Sequence, residues 1–415
     1  MDAWRALFVP GVPTVSRGCP SPSHEQVLGT HLAGSAASAC DPFARVTTGV
    51  TMRGDAAQCA QEARSLGGGM RRLISWSMIP LLAGLLGVLA PASSWAALIT
   101  GTVFEDANYG GGAGRSLAAS AGVARPSARV ELFDTDGNFV SAVLTNASGI
   151  FNFNGVAAGG YTVRVVNSTV TSARTGSVPT LVPVQTYRTN ASSGAPLSVA
   201  DHVGGEVPEK VDAGNGASSL AALTTASTAP QSITSVTVGG GNIAGVDFGY
   251  SFNVIVNRNP SGQGSLRQFL LNANTLGNAG LAQSGRTAGI DHAIFMLPDG
   301  TARPGMNTGY ASAFASGVAV ISPTAASPIP TLSDPGVIDA QTQPGWASAP
   351  LVRVDGASAG GGATAFTVAA GAPGSALRGM MVTRFSADAI VVQSGANNVT
   401  IAGNWLGTNG GVTAL

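Results

Sequence analysis

From Ile99 to Val166 apolar and β-branched residues fall into runs of four to six, each closed by Gly, Asn, Asp or Ser. The runs are 99–104 (ITGTVF), 129–133 (RVELF), 139–144 (FVSAVL), 150–153 (IFNF) and 161–166 (YTVRVV). Their alternation and their Val, Ile, Thr, Phe and Tyr content predict strands. The connection Asp134-Thr135-Asp136-Gly137-Asn138 predicts a tight hairpin, because Gly137 and Asn138 tolerate positive φ. Five strands so spaced predict a small antiparallel sandwich. Residues 167–244 alternate only weakly and predict irregular chain with some strand.

Helical periodicity is clear at one place. The run 252–256 (FNVIV) opens a new unit, and after the turn at 259–264 (NPSGQG) Ser265 and Gln268 have capping-box spacing. Leu266, Phe269, Leu270 and Ala273 then recur at i, i+3, i+4 and i+7. A short helix over 265–274 is predicted, its apolar stripe on a core and Arg267 on its solvated face.

Near its C-terminal end the sequence repeats itself. AFTVAAG at 365–371 recurs as AIVVQSG at 389–395, and ALRGMMV at 376–382 as TIAGNWL at 400–406, both displaced by 24 residues. Two motifs on one period mark one repeating unit, and a period in the twenties with about three short strands per unit fits a coil of parallel β-helix. The spacing of leucine-rich repeats is missing. In this reading Phe366, Val368, Leu377, Ile390, Val392 and Ile401 stack inside, and stability is a sum of neighbour contacts along one axis.

Ahead of the strands, residues 70–97 read MRRLISWSMIPLLAGLLGVLAPASSWAA. Arg71 and Arg72, an apolar run at 79–90 and the small-residue end Ser94-Trp95-Ala96 have the layout of a secretory signal peptide cleaved after Ala96. Pro80 and Pro91 interrupt the run, which is shorter than the roughly 20 residues that span a bilayer. Met70 is therefore the expected initiator. Residues 1–69, which hold Cys19, Cys40 and Cys59, are expected to be an upstream extension or disordered. The expected organisation is then a signal peptide at 70–96, a sandwich with a long insertion at 97–251, and a second β unit at 252–415.

Residues 98–415 carry 16 acidic and 14 basic side chains, a formal charge of −2. Nucleic-acid binding wants a basic stripe, so that class of partner is excluded. No basic cluster remains for anionic lipid, and the membrane enters only through the signal peptide during export. The same residues contain no cysteine, so an exported chain would rely on burial and backbone pairing. Charged residues make up only 10% of the chain and glycine numbers 57, which suits an all-β secreted protein with many tight turns.

The segments GTVFEDAN (101–108), ARVELFD (128–134), TNASGIFNF (145–153) and GYTVRV (160–165) together resemble the B-type repeat of bacterial surface adhesins, the SD-repeat and collagen-adhesin B group. GVDFGY at 245–250 matches its closing strand. The resemblance implies a prealbumin-like β-sandwich used as a stalk or spacer, often stabilised by calcium. Glu105, Asp106 and Asn108 are the calcium candidates, since that ion takes about six to eight oxygens from closely spaced Asp, Asn and Glu. Here YGGGAGR at 109–115 supplies no further carboxylate, so a solvated turn without metal is the expectation.

GSLRQFLLNAN at 264–274 is similar to the segment that caps the first coil of right-handed β-helices in secreted bacterial proteins. IDAQTQPG (338–345), LVRVDG (351–356) and VTIAGNWLGT (399–408) resemble the β-helix modules of large bacterial surface proteins. Such coils continue for many turns, and a chain ending at Leu415 is expected to be truncated.

Parallel β-helices also carry polysaccharide lyases and hydrolases. Hydrolysis wants two carboxylates about 5 to 10 Å apart. Asp355 and Asp388 share no register, Arg378 and Arg384 lack metal-holding acids and are expected on the outer face, and His202 and His292 are isolated. No catalytic residue and no cofactor is assigned. The expectation is an all-β, secreted or cell-surface protein, structural or adhesin-like, whose solenoid contacts glycans or surface proteins. The alternatives are a glycan-cleaving β-helix enzyme and a ligand-free mechanical spacer.

Overall fold

The computed structural model describes residues 96–216 and 218–408. The expected extension at 1–69, the signal peptide up to Trp95 and the last residues, 409–415, lie outside the described residues. What is described is all-β, with short helices at Leu117–Ser120 and Leu266–Ala273.

Strand Ala97–Glu105 pairs antiparallel with Ile150–Val156 and parallel with Phe248–Ser251. Phe248–Ser251 pairs antiparallel with Val184–Asn190, which carries Leu197–Val199 beyond it. A second, wholly antiparallel sheet has the order Ser232–Val238, Gly159–Val165, Arg129–Asp134, Phe139–Leu144. Alternation sends Ile99 and Val103 from the first sheet, and Val130, Leu132, Val163 and Val165 from the second, into one apolar cluster with Phe151 and Phe248. Fully burying each such side chain contributes about 1.5–3 kcal/mol.

All five sequence-predicted strands form, within a few residues of their expected ends. In the hairpin Gly137 takes φ 78°. Asn138 does not need a positive φ, because Asp134 Oδ1 accepts the N–H groups of Asp136 at 3.0 Å and Asn138 at 2.8 Å and closes the turn itself.

Residues 167–244 are far more ordered than their sequence predicts. They supply a central strand of one sheet, Val184–Asn190, and an edge strand of the other, Ser232–Val238. They also cover the second sheet's other face, where Glu131 and Arg164 lie opposite each other in register. Both side chains are fully buried and meet at 2.8 Å. Arg164 donates to the carbonyls of Ala213 and Gly214 and to Asp212, while Gly216 N–H donates to Glu131 at 2.7 Å. A buried ion pair is tolerable when its remaining hydrogen-bonding capacity is filled, and residues 212–216 fill that of both Nη groups here, while Arg164 Nε stays buried without a partner.

Beyond Phe252 the pairing turns parallel. One ladder runs through Val254–Ile255, Asp291–Phe295, Gly336–Asp339, Ala376–Arg378 and Thr400–Ala402. A second runs through Val318–Ile321, Val352–Asp355, Met380–Thr383 and Trp405–Leu406, with Phe314–Ala315 added antiparallel at its edge. A third pairs Phe366–Val368 with Ile390–Val392. Phe366 faces Ile390, Leu377 faces Ile401 and Val382 faces Leu406, each pair 24 residues apart. Earlier steps are longer, with Ile338 beside Leu377 and Ala293 beside Ile338, so the period shows only in the final turns.

Phe295, Ile338, Val352, Phe366, Leu377 and Val382 share the interior of this stack. Leu266, Phe269, Leu270 and Ala273 join the same cluster, which is where the helix finds its apolar seat. Ser265 caps that helix, its Oγ accepting Gln268 N–H at 3.1 Å. The return half of the capping box is not made: Gln268 Nε2 donates to Asn272 Oδ1 at 2.9 Å, and Ser265 N–H goes to the Gly262 carbonyl. Arg267 donates to the Pro328 carbonyl instead of ending in solvent. Two expected interior residues are not covered. Val392 is 42% and Ile401 46% exposed, because they belong to the last described turn and no described turn lies over them.

Candidate functional site

The acidic corner at the end of strand Ala97–Glu105 is buried, not the solvated turn that the sequence predicts: Glu105 and Asp106 are 1% and 0% exposed. The Glu105 carboxylate accepts Ser172 Oγ–H at 2.7 Å and the Ala173 N–H, with Arg125 Nη1 at 3.5 Å. Both oxygens of Asp106 are held by Arg115, at 2.9 Å from Nε and 2.5 Å from Nη2. Burial pushes the Asp106 carboxyl up in pKa, against the pull of Arg115. Asn108 Oδ1 accepts the Ala282 N–H at 2.6 Å.

A calcium ion here would have to displace a guanidinium and two backbone N–H groups, so these donors do not fit an oxygen cage. Among the described residues no group of three or more His, Cys, Asp or Glu could hold a metal ion. Glu105 and Asn108 do share a cleft of about 220 Å³ with Ser120, Arg174 and Leu281.

Arg174, on the far wall of that cleft, is the residue around which the corner closes. Its Nη2 donates to Asp291 Oδ2 at 2.6 Å and to Asn278 Oδ1 at 2.7 Å, and its Nε to the Gly277 carbonyl at 3.0 Å. Asn253 Nδ2 donates to the other Asp291 oxygen at 2.7 Å, and Asn278 Nδ2 reaches Asp334 at 2.7 Å. Burial raises the Asp291 carboxyl pKa, and Arg174 opposes the rise. One side chain from the first set of sheets is thereby fixed to three segments that precede or belong to the parallel stack. Sequence reasoning missed it because Arg174 sits in no motif and its partners lie 79 to 117 residues away.

The polar residues of the stack do not converge. Asp355 is buried; burial opposes its ionisation, but the bidentate Arg384, at 2.8 and 2.5 Å, outweighs that and holds its carboxyl below the ordinary value. Asp388 is exposed and its side chain makes no hydrogen bond among the described residues. Arg384 is exposed as expected, whereas Arg378 is half-buried.

The two histidines stand apart. His202 Nδ1 lies 2.8 Å from Asp201, its ring edge-on to Tyr310 at 5.8 Å. His292 is buried with Nε2 unpartnered, and burial, helped by Arg286, lowers its pKa to about 4. His292 is therefore neutral at physiological pH.

Compared with known proteins, the chain matches no family model and no curated protein. Among the described residues no helix is long and apolar enough to cross a membrane.

Proposed function

We propose that this chain is a secreted, cell-surface β protein. In this reading residues 97–251 form a prealbumin-like sandwich, and residues 252–415 open a right-handed parallel β-helix that holds out a stiff solenoid for contact with glycans or surface proteins. The signal peptide at 70–96 delivers it, with cleavage after Ala96 directly ahead of the first strand.

The observation that carries the reading is the 24-residue register shared by three ladders, at Phe366–Ile390, Leu377–Ile401 and Val382–Leu406. A stack of this kind pairs each turn's backbone with the turns beside it and displays outward side chains in rows along its axis. Such rows suit repeated contact with a long polymer. The carboxylates of the stack serve its turns: Asp339 accepts the Gln341 N–H at 2.9 Å and Asp355 the Ala357 N–H at 3.1 Å.

The test is to pass the purified chain over a polysaccharide panel. Retention without release of reducing or unsaturated ends is the expected result. Turnover would make it a glycan-cleaving enzyme, and neither retention nor turnover, on glycans or on surface proteins, would leave a mechanical spacer.

A further inference from the structure

The second parallel ladder places four side chains in one row across its strands, of which Val320, Arg353 and Trp405 are half-buried and Met381 is only 3% exposed. Val320 is in register with Arg353, Arg353 with Met381, and Met381 with Trp405. Their neighbours Ile321, Val352, Val354, Met380 and Val382 point inward. Adjacent strands lie about 4.8 Å apart, so the row is about 14 Å long. Over its first three members runs a groove of about 320 Å³, walled by Ala315, Ser316 and Val318.

Ala315, Val318, Val320 and Met381 give the groove its apolar surface, and Ser316 and Arg353 its polar groups. The Arg353 side chain is 25% exposed and makes no hydrogen bond among the described residues. Its nearest acidic oxygen, Asp355 Oδ2, is 3.6 Å away and already held by Arg384 at 2.5 Å. A guanidinium carries five donors; here Nε is buried without a partner, and the two Nη groups make no hydrogen bond, Nη2 standing 3.6 Å from Asp355. The chemistry it matches is a planar carboxylate, which guanidinium binds bidentately.

Val320, Arg353 and Met381 lie on the face of a sheet, on strands whose backbone groups are paired on both sides. An extended peptide therefore cannot add to it as a strand, and its occupant must bind by its own faces. Pyranose rings present apolar C–H faces to Val320 and Trp405, and a uronic acid adds the carboxylate.

We propose that the row Val320–Arg353–Met381–Trp405 is a binding track for an acidic polysaccharide, with a uronate carboxylate on Arg353. This rests on the glycan-contact reading above and names its site and substrate class.

The experiment is calorimetric titration of the full chain with an oligogalacturonate and with a neutral cello-oligosaccharide of equal length, repeated on Arg353→Gln, Arg353→Lys and Trp405→Ala. The acidic oligomer is expected to bind about tenfold or more tighter than the neutral one. Arg353→Gln abolishes that preference, Arg353→Lys keeps part of it, and Trp405→Ala weakens both oligomers. If Arg353→Gln binds the acidic oligomer as the parent does, the track is elsewhere while the glycan-contact reading stands. If the parent binds neither oligomer but does bind an acidic peptide or a protein, the track falls together with the glycan half of the contact reading, and the surface-protein half stands. Arg353 gives up no hydrogen bond, so an unchanged melting temperature verifies that the variants are folded.

Discussion

Arg174 Nη2 and Asp291 Oδ2 meet at 2.6 Å across 117 residues of chain, one 7% and the other 0% exposed. The pair closes one end of the parallel stack against the loop that follows strand Gly159–Val165, and its loss would leave a carboxylate buried without its cation.

Arg174→Met is therefore expected to destabilise the fold by about 3–5 kcal/mol. Adding Asp291→Asn should restore part of that, since the orphaned charge is then gone. Urea unfolding of the single and double variants measures both. A loss below about 1 kcal/mol in the single variant would show that the contact is replaceable by water.

His292 supplies a pH dependence. Its folded pKa of about 4 lies below the unfolded value of 6.5. Between those values the unfolded chain binds a proton that the folded chain refuses, so stability falls as pH drops from about 6.5 to 4, by up to roughly 3 kcal/mol. His292→Gln should flatten this part of the profile of melting temperature against pH. An unchanged slope would assign it to other groups.

The same repeat position differs between neighbouring turns. Leu377 is fully buried and Ile401, its partner in register, is 46% exposed. Leu377→Ala should cost about 2–5 kcal/mol and Ile401→Ala under about 1. Equal costs in chemical denaturation would mean that Ile401 is covered in solution.

Calcium should leave the melting temperature within about a degree of its value in chelator, because a ligand raises it only by binding the folded state. The guanidinium of Arg115 occupies both oxygens of Asp106. A rise of several degrees would show that the corner opens to take the ion.

The strands at 99–165 were legible because each alternates and ends in a turn residue, and the final turns because two motifs share one displacement. Strand Val184–Asn190 was not, since VQTYRTN reads as a polar loop. In the structure Thr189 Oγ1 donates to the Gly245 carbonyl, Gln185 Nε2 to the His202 carbonyl and Arg188 to Glu206, which offsets part of the cost of burial, while Gln185 Oε1 and Arg188 Nε stay without partners. The earlier parallel steps escaped notice because their loops differ in length, leaving no common period. Glu105, Asp106 and Asn108 are neighbours in sequence, but each side chain is held by a different partner. Their partners Arg115, Arg125 and Ser172 are single residues without pattern, so that burial could not be read from the local sequence. Arg353 and Trp405 share a row only through registers set one turn at a time.

The central claim is that turns 24 residues apart lie directly on one another, and an engineered disulfide tests it most directly. Thr367 pairs in register with Val391, and both are half-buried. Neighbouring strands bring Cα atoms to about 4.8 Å, inside the range of about 4.4–6.8 Å that a disulfide spans. With Cys19, Cys40 and Cys59 replaced by serine, Thr367→Cys with Val391→Cys should oxidise rapidly to an intramolecular bridge, and Thr367→Cys with Gln393→Cys far more slowly. Preferential bridging of the slipped pair, or no bridge in either, would contradict the stacked register and the solenoid built on it.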